Sequence, residues 1–165
     1  MSYFVAALPR SKTAWLAVFL SQSGKYCFHD GMNGCNTLEE YKDKIGDDGD
    51  SSTGLQLFDI NNLFPDSPIV VIEKSKEELE HCIEWCGSTF GTTRITMLEQ
   101  YDQLMSVKGL RVKQSDIFHR LKEIFEYLTG CEWMNHYRYL TSFNIQVDPY
   151  SIDYQAAERL MRESV

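Results

Sequence analysis

The chain has 165 residues, 43% hydrophobic and 13% aromatic, enough for one globular core and too few for two comfortable domains, so one α/β domain over residues 1–165 is expected. A formal net charge of −8 argues against general nucleic-acid binding, which needs basic surface to displace counterions from phosphates. No window approaches the roughly 20 apolar residues of a membrane span, and Arg10 and Lys12 interrupt any leader-like apolar run, so the expectation is a soluble, cytoplasmic chain with no nucleic-acid or membrane partner.

Residues 3 to 8 read as an apolar strand that runs into the polar turn Pro9-Arg10-Ser11-Lys12-Thr13. A helix follows from Ala14, apolar nearly all round through Leu20 and ending at Gly24. Lys25-Tyr26-Cys27-Phe28 is a short second strand ending at His29-Asp30-Gly31, and Asn36 with Glu39 forms a capping-box variant opening a helix to about Ile45. The run Gly46-Asp47-Asp48-Gly49-Asp50-Ser51-Ser52 reads as a solvated, mobile acidic loop, with a calcium cage as its minor alternative. Leu55-Gln56-Leu57-Phe58 then reads as a strand, followed by a helical turn to Phe64-Pro65-Asp66. Pro68-Ile69-Val70-Val71-Ile72 is continuous and β-branched, as a strand covered on both faces of a parallel sheet would be. Ser75 with Glu78 boxes a helix through Trp85, another helix spans Thr93 to Val107, and Gly109 to Val112 is a strand. Ser115 or Asp116 caps a last helix with Ile117, Leu121, Ile124, Phe125 and Leu128 on one face and Gly130 as its stop. Strands alternating with helices predict a parallel sheet flanked by helices.

The turn at residues 9 to 13 is the most informative feature. Unpaired amides in a helix's first turn, with the positive end of its dipole, attract phosphate or sulfate. Arg10 and Lys12 add charge there, and Lys74, at the end of a later buried strand, would complete a local basic pocket in an acidic chain. Against the P-loop pattern Gly-x-x-x-x-Gly-Lys-(Ser/Thr), Lys12-Thr13 keeps the lysine and hydroxyl register while Ala6 and Ser11 replace both glycines. A bland strand-to-helix turn is the simplest alternative.

The order Pro9, Arg10, Ser11, Thr13 and Trp15 resembles the 5′-phosphosulfate-binding loop of sulfotransferases, Pro-(Lys/Arg)-Ser-Gly-Thr-Thr-(Trp/Leu), with Lys12 where that family has glycine. Leu63-Phe64-Pro65-Asp66 through Ser75 resembles the family's block in which an arginine touches the 3′-phosphate of the donor nucleotide; Lys74 falls at that arginine, and Cys82, eight residues on, at a phosphate-binding serine. Leu110 to Asp116 and the helix after it resemble a third block. The family's late Gly-rich, lysine-containing nucleotide loop has no counterpart. The resemblance implies a P-loop, nucleotide-binding architecture and 3′-phosphoadenosine 5′-phosphosulfate as sulfuryl donor, held by Pro9, Arg10, Ser11, Lys12, Thr13, Ala14, Trp15 and Lys74. It further implies transfer to a hydroxyl or amine acceptor.

For that chemistry Arg10 and Lys12 would absorb charge on the transferring group, and a base must take the acceptor proton. His29 and Asp30, at the end of the second strand, are the candidates, since the carboxyl ends of neighbouring parallel strands face one crevice. Ser51, Ser52 and Thr53 are next. The alternatives are a small nucleotide kinase or NTPase using Lys12 and Thr13 with magnesium held by Asp59 or Glu73, and a non-catalytic member of the fold. Cys27, Cys35, Cys82, Cys86 and Cys131 read as reduced thiols without zinc spacing, and His81, Cys82 and Cys86 are poorly spaced for a metal. His119 and His136 have no evident partner, while Trp133, Tyr137, Tyr139, Phe143 and Tyr150 read as core or as the lining of an acceptor pocket.

Overall fold

The computed structural model describes residues 1–133. Its five parallel strands are β1 (Tyr3–Ala6), β2 (Cys27–His29), β3 (Gly49–Ser52), β4 (Ile69–Glu73) and β5 (Leu110–Lys113), in the spatial order β2-β3-β1-β4-β5. Parallel neighbours require crossover connections. These are α1 (Thr13–Ser21), α2 (Leu38–Ile45), α3 (Ile60–Leu63), α4 (Lys76–Phe90) and α5 (Arg94–Ser106), with α6 (Leu121–Thr129) closing the described chain. The result is a Rossmann-like sheet with helices on both faces.

Side chains of β1 alternate between two cores, because successive strand residues point to opposite faces. Tyr3 and Val5 pack with Leu16, Phe19 and Leu20 of α1 and Ile124, Phe125 and Leu128 of α6. Phe4 and Ala6 pack with Tyr41 and Ile45 of α2, Cys82 and Cys86 of α4 and Leu104 of α5. On the same face of the sheet as α6, α1 meets the apolar surround read from its sequence with burial of nearly every residue. Helix starts follow their caps: Ser75 and Glu78 form the full box at α4, and Thr93 caps α5.

Four expectations change. The run at residues 46 to 52 is not a mobile loop: Gly49–Ser52 is β3, buried between β2 and β1. Its polarity is matched inside the protein, where the Asp50 carboxylate accepts from Tyr41 Oη at 2.7 Å, Ser52 Oγ at 2.6 Å and the Gly31 amide at 3.0 Å. Gly49 lies opposite Tyr3 in the register, and a Cβ there would sit 2.1 Å from the tyrosine ring. Leu55–Leu57 is a 3₁₀ turn, not a strand, with the Leu57 amide closing on the Gly54 carbonyl. The cap of α2 is Thr37, one residue past Asn36, its hydroxyl accepting from the Glu40 amide. Finally, the last helix divides into a 3₁₀ segment, Gln114–His119, and α6. The break is at Arg120, whose guanidinium donates to the Arg111 carbonyl at 2.7 Å and so ties the chain to β5.

Candidate functional site

Every strand delivers polar residues at its carboxyl end, the edge at which open α/β sheets hold ligands. Between β1 and α1, Arg10 has φ 65° and Lys12 φ 61°, a left-handed backbone conformation unusual for side chains other than glycine. Each such residue costs on the order of 1–3 kcal/mol and persists only where its surroundings impose it. The third non-glycine residue with positive φ among those described is Asp30, at 51°. All three belong to the residues singled out from the sequence.

Lys12 is the N-cap of α1 and makes no side-chain cap. Among the described residues, no carbonyl or side chain accepts from the amides of residues 10 to 15; the first bond of the helix runs from Leu16 to the Lys12 carbonyl. Left-handed turns with free amides at a helix start form a concavity suited to an anion. Ser11, between the two left-handed residues, is fully buried, and its Oγ has no hydrogen-bond partner among the described residues. A buried hydroxyl left unpaired calls for a partner that the described residues do not supply.

The loop cations are exposed and rest on aromatic faces. The Arg10 guanidinium lies 5.5 Å from the Trp85 ring of α4, and the Lys12 ammonium 4.9 Å from Phe118 in the 3₁₀ segment after β5. Pro9 receives the Cys82 thiol on its carbonyl at 3.2 Å. Thr13 is buried and Ala14 half-buried; the Trp15 side chain belongs to the core, stacked on Phe19 at 5.1 Å and edge-on to Phe118.

Lys74 follows β4 and is only 6% exposed. Its ammonium donates to Gln114 Oε1 at 2.6 Å and to the Arg10 carbonyl at 3.4 Å, which brings it to the back of the loop. Among the described residues it makes no ion pair. Burial pushes its pKa below the ordinary lysine value, opposed by the Cys82 and Glu78 side chains. A buried cation hydrogen-bonded only to neutral oxygens is an unusual arrangement, because buried charges are normally paired.

On the β2–β3 side, His29 Nε2 lies 3.1 Å from Thr13 Oγ1 and 3.6 Å from Asp30 Oδ2. Burial lowers the His29 pKa and the Asp30 charge raises it, the former winning. Asp30 is fixed by Thr53, whose amide and hydroxyl both donate to Oδ1, at 3.0 and 3.3 Å. Ser51 Oγ donates to the Thr13 carbonyl at 2.8 Å, joining β3 to the start of α1. Ser52 instead serves Asp50, whose pKa burial raises to about 6 against the hydrogen bonds that hold it down.

Sequence reasoning missed Gln114 as the partner of Lys74 and Asp50 as a buried organiser of β3. For Gln114 the available signal was its place directly after a strand, in register with the end of β4 through the Glu73–Lys113 pair. Of the carboxylates considered for magnesium, Asp59 caps α3 and Glu73 lies 3.8 Å from the Arg111 guanidinium. Among the described residues no group of three or more His, Cys, Asp or Glu side chains could hold a metal ion. His81 is exposed on α4 while Cys82 and Cys86 are buried, and His119 is exposed. Trp133 packs on Phe19 and Phe125 in the core; His136, Tyr137, Tyr139, Phe143 and Tyr150 lie outside the described residues. No helix among those residues is long and apolar enough to cross a membrane. Compared with protein-family models, curated proteins and solved structures, the chain matches none.

Proposed function

We propose that the β1–α1 loop holds the phosphosulfate end of 3′-phosphoadenosine 5′-phosphosulfate, and that this P-loop, sulfotransferase-like chain passes the sulfuryl group to a hydroxyl or amine acceptor. The observation that carries this reading is Lys74, a buried ammonium that, among the described residues, makes no ion pair and lies at the back of a loop whose amides meet no acceptor. A phosphorylated or sulfated ligand would supply Lys74 with a counter-charge, and Ser11 Oγ with the partner it lacks among the described residues. The left-handed backbone at Lys12 adds support: sulfotransferase loops carry glycine there, the residue that adopts φ near 61° without strain.

When bound, the donor supplies a sulfuryl group already activated by its bond to phosphate. The residues of the chain do the rest. Arg10, Lys12 and the amides of Ser11 to Ala14 balance charge that builds on the bridging oxygen as the sulfur–oxygen bond to phosphate breaks. His29, kept neutral by burial, takes the acceptor proton on Nε2 as the new bond to sulfur forms, and Asp30 steadies the imidazolium. Asp30 itself is the other base within this pair.

The test is calorimetric binding of 3′-phosphoadenosine 5′-phosphate in parallel with ATP and magnesium. Tight, metal-independent binding of the first, weakened at least tenfold in Lys74→Ala, is the expected result. A magnesium-dependent preference for ATP would replace this reading with an NTPase built on Lys12 and Thr13. Binding of neither ligand would leave a non-catalytic member of the fold.

A further inference from the structure

We propose that Gln114 is the positioning residue for Lys74: it orients the ammonium without cancelling its charge, so that one N–H is left for a single oxygen of an anionic ligand. The inference rests on anion binding at the β1–α1 loop and assigns the means by which that site keeps its buried cation available. An ammonium has three N–H donors and no acceptor. Two of Lys74's are engaged, by Gln114 Oε1 at 2.6 Å and by the Arg10 carbonyl at 3.4 Å. Because lysine only donates, the amide oxygen of Gln114 and not its nitrogen must face it. The anchors come from opposite sides, Arg10 from the loop after β1 and Gln114 from the residue after β5, so the third N–H has a set direction.

The choice of an amide matters. A glutamate has the same shape as glutamine, but at this distance it would form a buried ion pair and neutralise Lys74, whereas the neutral amide holds the ammonium and leaves its field for a ligand. Gln114 also opens the 3₁₀ segment whose Phe118 supports the Lys12 ammonium, so one short segment contacts two cations of the site. With one free N–H, Lys74 grips a single ligand oxygen, unlike the two-pronged contact of a guanidinium.

The charged and titratable groups around Lys74 are Arg10 from the loop, Glu78, Cys82 and Cys86 from α4, and Tyr101 from α5, whose hydroxyl donates to the Lys74 carbonyl. Burial raises the pKa of Cys82 to about 12 and lifts those of Cys86 and Tyr101, and every Gln114 variant keeps Lys12, so a shift of the alkaline midpoint between wild type and those variants reports on Lys74.

The experiment measures affinity for 3′-phosphoadenosine 5′-phosphate and for inorganic sulfate between pH 7 and 11 in wild type, Gln114→Glu, Gln114→Leu and Lys74→Ala, with folding checked by circular dichroism. Gln114→Glu should weaken both ligands at least tenfold at pH 7.5 while moving the alkaline midpoint of the remaining binding upward. Gln114→Leu should weaken them a few-fold and move the midpoint downward, a pattern that a purely structural role would not produce. Folded Gln114 variants with wild-type affinity and midpoint, beside a weakened Lys74→Ala, overturn the role of Gln114 alone. If sulfate binds in a Lys74-dependent way and the nucleotide does not, the donor assignment fails and the sulfate data decide the role of Gln114. Binding of neither anion by the wild type overturns both.

Discussion

At the scale of single residues, the loop after β1 carries backbone strain at Arg10 and Lys12. Lys12 is held in a left-handed conformation as the uncapped start of α1, with its side chain out over Phe118. Lys12→Gly removes the strain of a Cβ at positive φ, a gain partly offset by the greater freedom of glycine in the unfolded chain. The net expectation is a stabilisation of about 1 kcal/mol in chemical denaturation, together with weaker anion binding from the lost charge. A destabilised Lys12→Gly protein would mean that the lysine stem packed on Phe118 contributes more than the backbone strain removes.

At the scale of elements, β3 departs furthest from what its composition suggests. Charged and hydroxyl residues form a central strand because each has a partner: Asp50 with Tyr41, Ser52 and Gly31, and Ser51 with the Thr13 carbonyl. Burial still holds the Asp50 pKa at about 6, above the ordinary aspartate value of 3.8. Between these values the folded protein keeps a proton that the unfolded chain has released, so this residue's contribution to stability falls as pH rises through the window. The shift amounts to roughly 3 kcal/mol. Asp50→Asn removes the titration, so the stability of wild type relative to the variant should drop by about that amount from pH 4 to pH 7 in urea titrations. A difference that stays flat over this range would show that Asp50 titrates as an ordinary carboxylate.

At the scale of the whole molecule, the parallel sheet assembles the site. Because all five strands run the same way, the loop after β1, His29 of β2, Thr53 after β3, Lys74 after β4 and Gln114 after β5 follow their carboxyl ends. The order β2-β3-β1-β4-β5 sets the loop in the middle, with the carboxylate and histidine on one side and the buried lysine on the other. A ligand that binds only the folded state raises its stability by about 2.7 kcal/mol at a hundred times its dissociation constant. Thermal denaturation with 3′-phosphoadenosine 5′-phosphate should therefore show a melting temperature that climbs with ligand concentration in wild type and hardly moves in Lys74→Ala. Equal shifts in the two proteins would remove Lys74 from the site.

The sequence by itself determined the parts whose physics is local. The apolar run of β1 against the polar turn, the β-branched run of β4, the Ser75–Glu78 box and the Thr93 cap all reflect interactions within a few residues, and each element begins where its pattern placed it, although β1 stops at Ala6 and α4 runs past Trp85 to Phe90. Tertiary structure decided what depends on partners far along the chain. Gly46 to Ser52 reads as solvated loop because acidic and hydroxyl residues favour water, and only the pairing of Gly49–Ser52 between β1 and β2, with Tyr41 and Gly31 at Asp50, makes a strand of that segment. The 3₁₀ segment before α6 likewise depends on the reach of Arg120 to the Arg111 carbonyl. In the site, residue type and position were legible for Arg10, Lys12, His29, Asp30 and Lys74. That Lys74 is buried with no ion pair among the described residues, held by Gln114 forty positions away and by the Arg10 carbonyl, is a property of the folded sheet, because burial and pairing exist only once β1, β4 and β5 lie side by side.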